Sequence, residues 1–282
     1  MIRLGDIQFL NSWPVTYALR QGLVEAPVQI FPAAPAELNR RLLTGELDAS
    51  AVSSMLYLRH LEEFAPVPGF CIRADGGVHS VLVVSRRPLT ELKGKTIGVS
   101  NQGATTPVLL KILLNRQKLR MKMEPTPLRY PEILEVYPAA LLIGDEALSA
   151  GQDEDLICWD LGQAWTEWTR LPAVFALWVV RRPLVDRHPE LPEALTQALE
   201  QSHRWAGAHP KELVAAMRKV CPLEVNALIR YLGALSYELD RRAWVGLKRF
   251  AREAEKVREL PVGTVKRMRA WEHARVREGA SA

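Results

Sequence analysis

The sequence is short of cysteine, of long apolar runs and of the common nucleotide and metal signatures. Cys71, Cys158 and Cys221 are odd in number, widely spaced and without a C-x-x-C or a nearby histidine pair. That spacing excludes a disulfide framework and a zinc site of the usual kind. No apolar run approaches the roughly 18 residues of a membrane span. No basic stretch followed by an apolar one precedes the first strand, so no membrane attachment and a cytoplasmic location are expected. There is no G-x-S-x-G, no G-x-x-x-x-G-K-S/T, no G-x-G-x-x-G and no H-E-x-x-H. A nucleotide, a catalytic metal and any other cofactor are therefore not expected. The net charge is +5, but Arg241-Arg242, Lys248-Arg249 and Lys266-Arg267 are interleaved with acids at helical spacing, which reads as solvated helix faces and not as a nucleic-acid surface.

What is present is an ordinary globular composition, 48% hydrophobic and 24% charged over 282 residues, which is enough chain for two lobes. The run from Ile2 reads as a first strand that breaks into Asn11-Ser12 before Pro14, a residue suited to the first turn of a helix. Val15–Gln21 makes that helix and Val28–Phe31 a second strand. A helix opened by Pro35, with Leu38, Leu42 and Leu43 on one side, ends at Gly45. A third strand, Ala49–Val52, ends in Ser53-Ser54 before a helix over Met55–Glu62. Thr96–Val99 runs through Ser100–Pro107, with Thr105 and Thr106, into the helix Val108–Arg116. Ala139–Ile143 closes on Gly144-Asp145, and Leu156–Trp159 on Asp160. Five strands thus end in polar or small residues at a helix start, where open α/β sheets bind ligands.

Val67–Arg73 and Val78–Val84 read as strands joined across Ala74–Gly77. One internal echo bears on architecture: Ser80–Leu89 and Phe175–Leu184 are both apolar strands that leave through Arg-Arg-Pro-Leu. They are read as two crossover strands between lobes, which divides the chain into 1–87, 88–176 and 177–282. The last part is helical, with Leu195, Leu199 and Trp205 at helix spacing and a long amphipathic helix from Asp240 carrying Trp244, Leu247, Phe250, Ala254 and Val257. These helices are expected to pack back on the first lobe.

Among six histidines, His60, His188, His203, His209 and His273 fall in expected surface segments, and His79 points away from Ser80 if the segment is a strand. The remaining candidates are uncharged hydrogen-bonding residues: Asn11, Ser12, Ser53, Ser54, Ser80, Thr105 and Thr106, with Gly144 and Asp145. Singly, each is a good helix cap. Together they suit a small carboxylate. Trp159, Trp165 and Trp168 either pack the second lobe or line the cleft.

Two α/β lobes joined by crossover strands resemble the type II periplasmic-binding-protein fold, and Leu92–Val99 is similar to its second-lobe entry. More closely, Phe9–Pro14, Gly45–Asp48, Ser54–Leu58, Val78–Leu82, Ala140–Asp145, Asp160–Trp165 and Leu171–Ala176, in that order, resemble the chorismate dehydratases of the futalosine route to menaquinone. The resemblance implies catalytic roles for Asn11 and Ser80 and substrate binding by Thr105 and Thr106. It implies a lyase that removes water from chorismate to give 3-[(1-carboxyvinyl)oxy]benzoate, with either a side chain or the substrate's own carboxylate as base. Departures are Gln8 and Ser12 in place of the more usual Ser and Thr, and Ala104 where an Arg is common. Two alternatives stay open: a small-anion solute-binding protein of the same fold, and the sister enzyme that makes 1,4-dihydroxy-6-naphthoate, which resembles this chain but has His-Glu near Gly144-Asp145.

Overall fold

The computed structural model describes residues 1–268 apart from Gln102 and Pro222; His273 lies outside the described residues. The chain begins with β1 (Ile2–Ile7), α1 (Trp13–Arg20), β2 (Val28–Ala33), α2 (Pro35–Thr44), β3 (Ala49–Ser53), α3 (Ser54–Arg59) and β4 (Phe64–Ala74). It continues with β5 (Val81–Ser85), β6 (Thr96–Ser100), α4 (Thr105–Arg116), β7 (Lys122–Thr126), α5 (Ile133–Val136), β8 (Ala139–Ile143), α6 (Asp145–Ala150), β9 (Ile157–Asp160) and α7 (Leu161–Thr169). Then come β10 (Ala173–Arg181), α8 (Arg182–Val185), α9 (Leu191–Ala208), α10 (Pro210–Met217), α11 (Val225–Gly233), β11 (Ser236–Leu239) and α12 (Arg241–Lys256).

Two mixed sheets result, ordered β11-β4-β10-β3-β1-β2 and β7-β6-β8-β5-β9. In the first, β1 runs parallel to β2 and β3, and β10 runs antiparallel to β3 and β4. In the second, β6 runs parallel to β7 and β8, and β5 runs antiparallel to β8 and β9. The sheets therefore repeat one plan, and β5 and β10 hold the same place in it. That equivalence accounts for the Arg-Arg-Pro-Leu echo.

It also changes the reading of the crossovers. β5 belongs wholly to the second sheet and β10 wholly to the first. The chain passes between sheets at residues 75–80 and through the segment after β9 that includes α7, so the second sheet starts before residue 88. Asp75–Gly77 does not close a hairpin: β4 is bonded to β10 on one edge and β11 on the other, leaving no edge for β5. Residues 78–80 lie outside any strand.

The central strands are buried on both faces and so read as continuous apolar runs. α2 places Leu38 and Leu42 in the core, but Leu43 is exposed, because five residues beyond Leu38 is roughly 500° of helical rotation and not the same face. Gly45 ends α2 at φ 85°, where a β-carbon is costly. α9 packs on α1 and β4, in the first lobe; α12 lies against β10 and β11 and also reaches α4 of the second lobe. Trp165 of α7, 1% exposed, packs edge-on to Phe250 of α12 and donates its indole N–H to the Pro172 carbonyl at 3.1 Å.

Gly246 is what lets α12 approach. A β-carbon there would lie 2.5 Å from the Pro172 carbonyl oxygen, a backbone atom that cannot rotate away. Gly246→Ala is expected to lower stability by about 1–3 kcal/mol despite alanine's better helix propensity. Denaturant melts check this; a stabilised variant would show that the helix docks more loosely.

Among the described residues no helix is long and apolar enough to cross a membrane.

Candidate active site

The carboxyl ends of β1, β3, β6 and β8 converge on a cleft between the two sheets with about 880 Å³ of free space, part of it open to solvent. Asn11 reaches it from a single 3-10 turn, Leu10–Ser12. Ser12 makes that turn: its hydroxyl donates to the carbonyls of Ile7 at 2.8 Å and Phe9 at 3.0 Å. Beneath it, Thr16 donates to Asp6 at 2.8 Å and Arg20 pairs with Asp6 at 3.1 Å. Asp6 has no exposed side-chain surface, and burial pushes its carboxyl upward, with Arg20 and Thr16 opposing.

Ser53 lines the cleft and caps α3, accepting from the Leu56 N–H at 3.2 Å. Ser54 turns inward and donates to the Val174 carbonyl at 2.6 Å. Ser80 lines the cleft from the first crossing. Its backbone is held on both sides. The Gly144 N–H donates to the Ser80 carbonyl at 2.8 Å, and Asp160 accepts from the N–H groups of Val78 and His79 at 2.8 and 2.7 Å. His79 sits at φ 60° with an exposed side chain that borders a different cavity.

From the second lobe come Gly103, Ala104, Thr105 and Thr106, at the start of α4. Thr105 works across the lobes: its hydroxyl accepts from the Met55 N–H at 3.1 Å and donates to the Phe175 carbonyl at 3.3 Å. The buried Thr106 hydroxyl has no hydrogen-bond partner among the described residues, in a cleft wall at a helix N-terminus, where free N–H groups and the helix dipole favour an anion. Thr106→Val is expected to raise KM about tenfold with little change in melting temperature, whereas Thr105→Val is expected to cost about 1–2 kcal/mol of stability through its interlobe bonds. Steady-state kinetics beside thermal melts separate the two; equal stability losses would remove the distinction.

Gly144, at φ 66° and ψ −135°, completes the ring. Its neighbour Asp145 is exposed and lies outside the cleft lining; the crowded protein around its carboxyl, and then Glu146, push it upward. Of the expected residues, then, Asn11, Ser53, Ser80, Thr105, Thr106 and Gly144 meet at the cleft, while Ser12, Ser54 and Asp145 do not line it. Ser12 and Ser54 were open to this because a hydroxyl next to a strand end can turn to either side, and only the surrounding carbonyls decide which.

Asn39 and Pro35 of α2 also line the cleft, and sequence reasoning passed them over. Their i,i+4 spacing puts them on one helix face, the single signal that marked them. Phe9, Ile72, Ile143, Phe175 and Leu235 supply apolar walls. Trp159, Trp165 and Trp168 are absent from the lining. No charged side chain lines the cleft among the described residues, and among them no cluster of three or more His, Cys, Asp or Glu is placed to hold a metal.

A family model described as menaquinone biosynthesis matches residues 2–256. The chain belongs to this menaquinone-biosynthesis family. It is 32% identical over 268 residues to a chorismate dehydratase of Thermus thermophilus, covering 88% of this chain and 93% of the relative. It is also similar, at 28% over 269 residues, to the 1,4-dihydroxy-6-naphtoate synthase of the same organism, covering 90% of this chain and 94% of the relative. Among solved structures, a protein of Archaeoglobus fulgidus superposes with a TM-score of 0.77 at 22% identity, covering 92% of this chain and 98% of the other. The periplasmic aliphatic sulphonate binding protein of Escherichia coli superposes at 0.66 with 12% identity, covering 94% and 90%. At such identities these structures establish the fold, a periplasmic-binding-protein-like pair of lobes, and nothing of chemistry.

Proposed function

We propose that this chain is a cytoplasmic lyase that dehydrates chorismate to 3-[(1-carboxyvinyl)oxy]benzoate. The observation that carries the reading is the character of the cleft: hydrogen-bond donors and a helix N-terminus set among apolar walls, with no charged side chain among the described residues. Such a site suits a small dianion that brings its own base. The likeness to the chorismate dehydratase of Thermus thermophilus over most of both chains supports it.

The reaction requires little covalent chemistry from the protein. The enolpyruvyl carboxylate of the substrate takes the C3 proton, the C4 hydroxyl leaves, and proton and hydroxyl depart as water. Electron density from the C3–H bond moves toward the ring carboxylate before aromatisation draws it back. Asn11 orients the substrate through its side-chain amide, and Ser80 donates to the ring carboxylate where charge gathers. Thr106 and the first N–H groups of α4 bind a carboxylate. Ser53, Gly144 and Thr105 shape the wall, and Asn39 also lines it. Ala104, small where an Arg is common, leaves the anion to uncharged donors.

The test is incubation of purified protein with chorismate, following loss of the cyclohexadiene absorbance and identifying the product by NMR. Conversion to the aromatic enol ether is expected without added metal or cofactor. Chorismate bound tightly and recovered unchanged would overturn the reading in favour of a solute-binding protein, and inertness toward chorismate would turn attention to the naphthoate branch.

A further inference from the structure

α12 touches both of the segments that carry the chain between the sheets. Arg242, near its start, donates to the Asp75 carboxylate at 2.6 Å and to the Arg170 carbonyl at 3.2 Å. Asp75 opens the first crossing, just after β4, and Arg170 lies on the second, between α7 and β10. One guanidinium therefore joins the two. Gly246, one helical turn further along α12, lets the same face close on Pro172 of the second crossing. The start of α12 is itself anchored to the first lobe: Asp240 caps the helix by accepting from the Ala243 N–H at 2.7 Å, and buried Arg73 of β4 pairs with Asp240 at 3.1 Å and with Asp75 at 3.5 Å. Five residues beyond Asp75 stands Ser80, and five beyond Arg170 stands Phe175; both line the cleft. Between Asp75 and Ser80 lie Gly76 and Gly77, backbone that swings where no contact stops it.

We propose that Arg242 is a positioning residue for the cleft: by tying the two crossings together it holds the lobes at the spacing in which Ser80 and Phe175 face one site. The pair with Asp75 is partly open to solvent, with side chains 54% and 33% exposed, and such pairs add little to global stability. An equilibrium between two lobe arrangements needs little, because a bias of that size multiplies the population of one of them severalfold. A substrate that binds only the assembled cleft must make up the difference when the tie is cut. The loss then falls on KM, and kcat is kept once the substrate is bound.

The proposal rests on the cleft being the chorismate site, and two readouts separate the two claims. Arg242→Gln is expected to raise KM for chorismate about fivefold, with kcat within about twofold and the melting temperature within about 2 °C of the parent. Arg242→Lys keeps a charge for Asp75 but has no fork to span both acceptors, and is expected to recover part of the loss. Asp75→Ala in the Arg242→Gln background is expected to add less than about twofold, since the tie is already cut. Small-angle X-ray scattering without substrate reads the lobes directly, and a larger radius of gyration is expected for Arg242→Gln than for the parent. An unmoved KM, with or without a fall in melting temperature, would overturn the proposal, as would KM effects of Asp75→Ala and Arg242→Gln that multiply. If the parent leaves chorismate unchanged, the reading of the cleft falls instead; the scattering comparison then decides the tie, and identical curves would overturn it.

Discussion

Asn11→Ala is expected to lower kcat for chorismate by about a hundredfold or more, the scale seen when one preorganised donor is removed at a reacting centre. The expectation is for kcat and not KM alone, because the amide orients the reacting ring, and misplacement shows in the chemical step. The melting temperature should barely move. The turn carrying Asn11 is held by Ser12, Thr16 and Asp6, and no bond from the amide itself is seen among the described residues. Asn11→Asp is expected to be worse than alanine, because it adds a negative charge to a cleft without a balancing cation among the described residues. Steady-state kinetics and thermal melts on both variants check this. An alanine variant with full kcat would remove Asn11 from the mechanism, and one that loses stability in step with activity would make it a structural residue.

The largest stability effect is expected just below that turn. Arg20 meets Asp6 at 3.1 Å, without the alignment of a hydrogen bond, and stacks its guanidinium over Trp13 at 4.6 Å. Arg20→Ala leaves the Asp6 carboxylate buried and uncompensated, which is expected to cost about 3–5 kcal/mol at neutral pH. The pH dependence follows from the direction of the Asp6 shift. Burial raises the folded pKa of Asp6 above its ordinary value and Arg20 holds it down; without Arg20 it rises further. A carboxyl whose folded pKa exceeds its unfolded one takes stability away as pH climbs through that interval, since the unfolded chain gives up its proton first. The deficit of the variant relative to the parent is therefore expected to be greatest at neutral pH and to shrink in acid. Urea unfolding of both proteins at the two conditions measures it. A deficit independent of pH would mean that the loss comes from the Trp13 stacking and not from the charge.

Much of the scaffold was legible in the chain. β1, β3, β6 and β8 announce themselves as short apolar runs, and Pro14, Pro35 and Gly45 mark helix boundaries through constraints on φ that act within a residue or two. Ser53 is a helix cap by local rules and is one in the structure. The repeated Arg-Arg-Pro-Leu strands carry real information about the two sheets. Their assignment to one sheet or the other is not legible, because a strand's sequence shows that it is buried, not which sheet buries it. β4 and β5 are neighbours in the chain, yet β4 is closed off by β10 and β11, both more than ninety residues downstream.

The sequence by itself determined that two α/β units would present polar strand ends at helix starts, because strand period, helix capping and turn formation depend on residues close together in the chain. It also placed Asn11, Ser80 and Thr106 among the candidates. Tertiary structure alone decided which hydroxyls are free to serve. Ser54 is taken by the Val174 carbonyl, Thr105 by Met55 and Phe175, and the Thr106 hydroxyl is left without a partner among the described residues at the cleft. It alone brought Asn39 to the cleft. Each of these contacts joins elements whose packing is settled only when both sheets and the C-terminal helices bury their apolar faces together, and no local pattern records which side chain will then be left facing which.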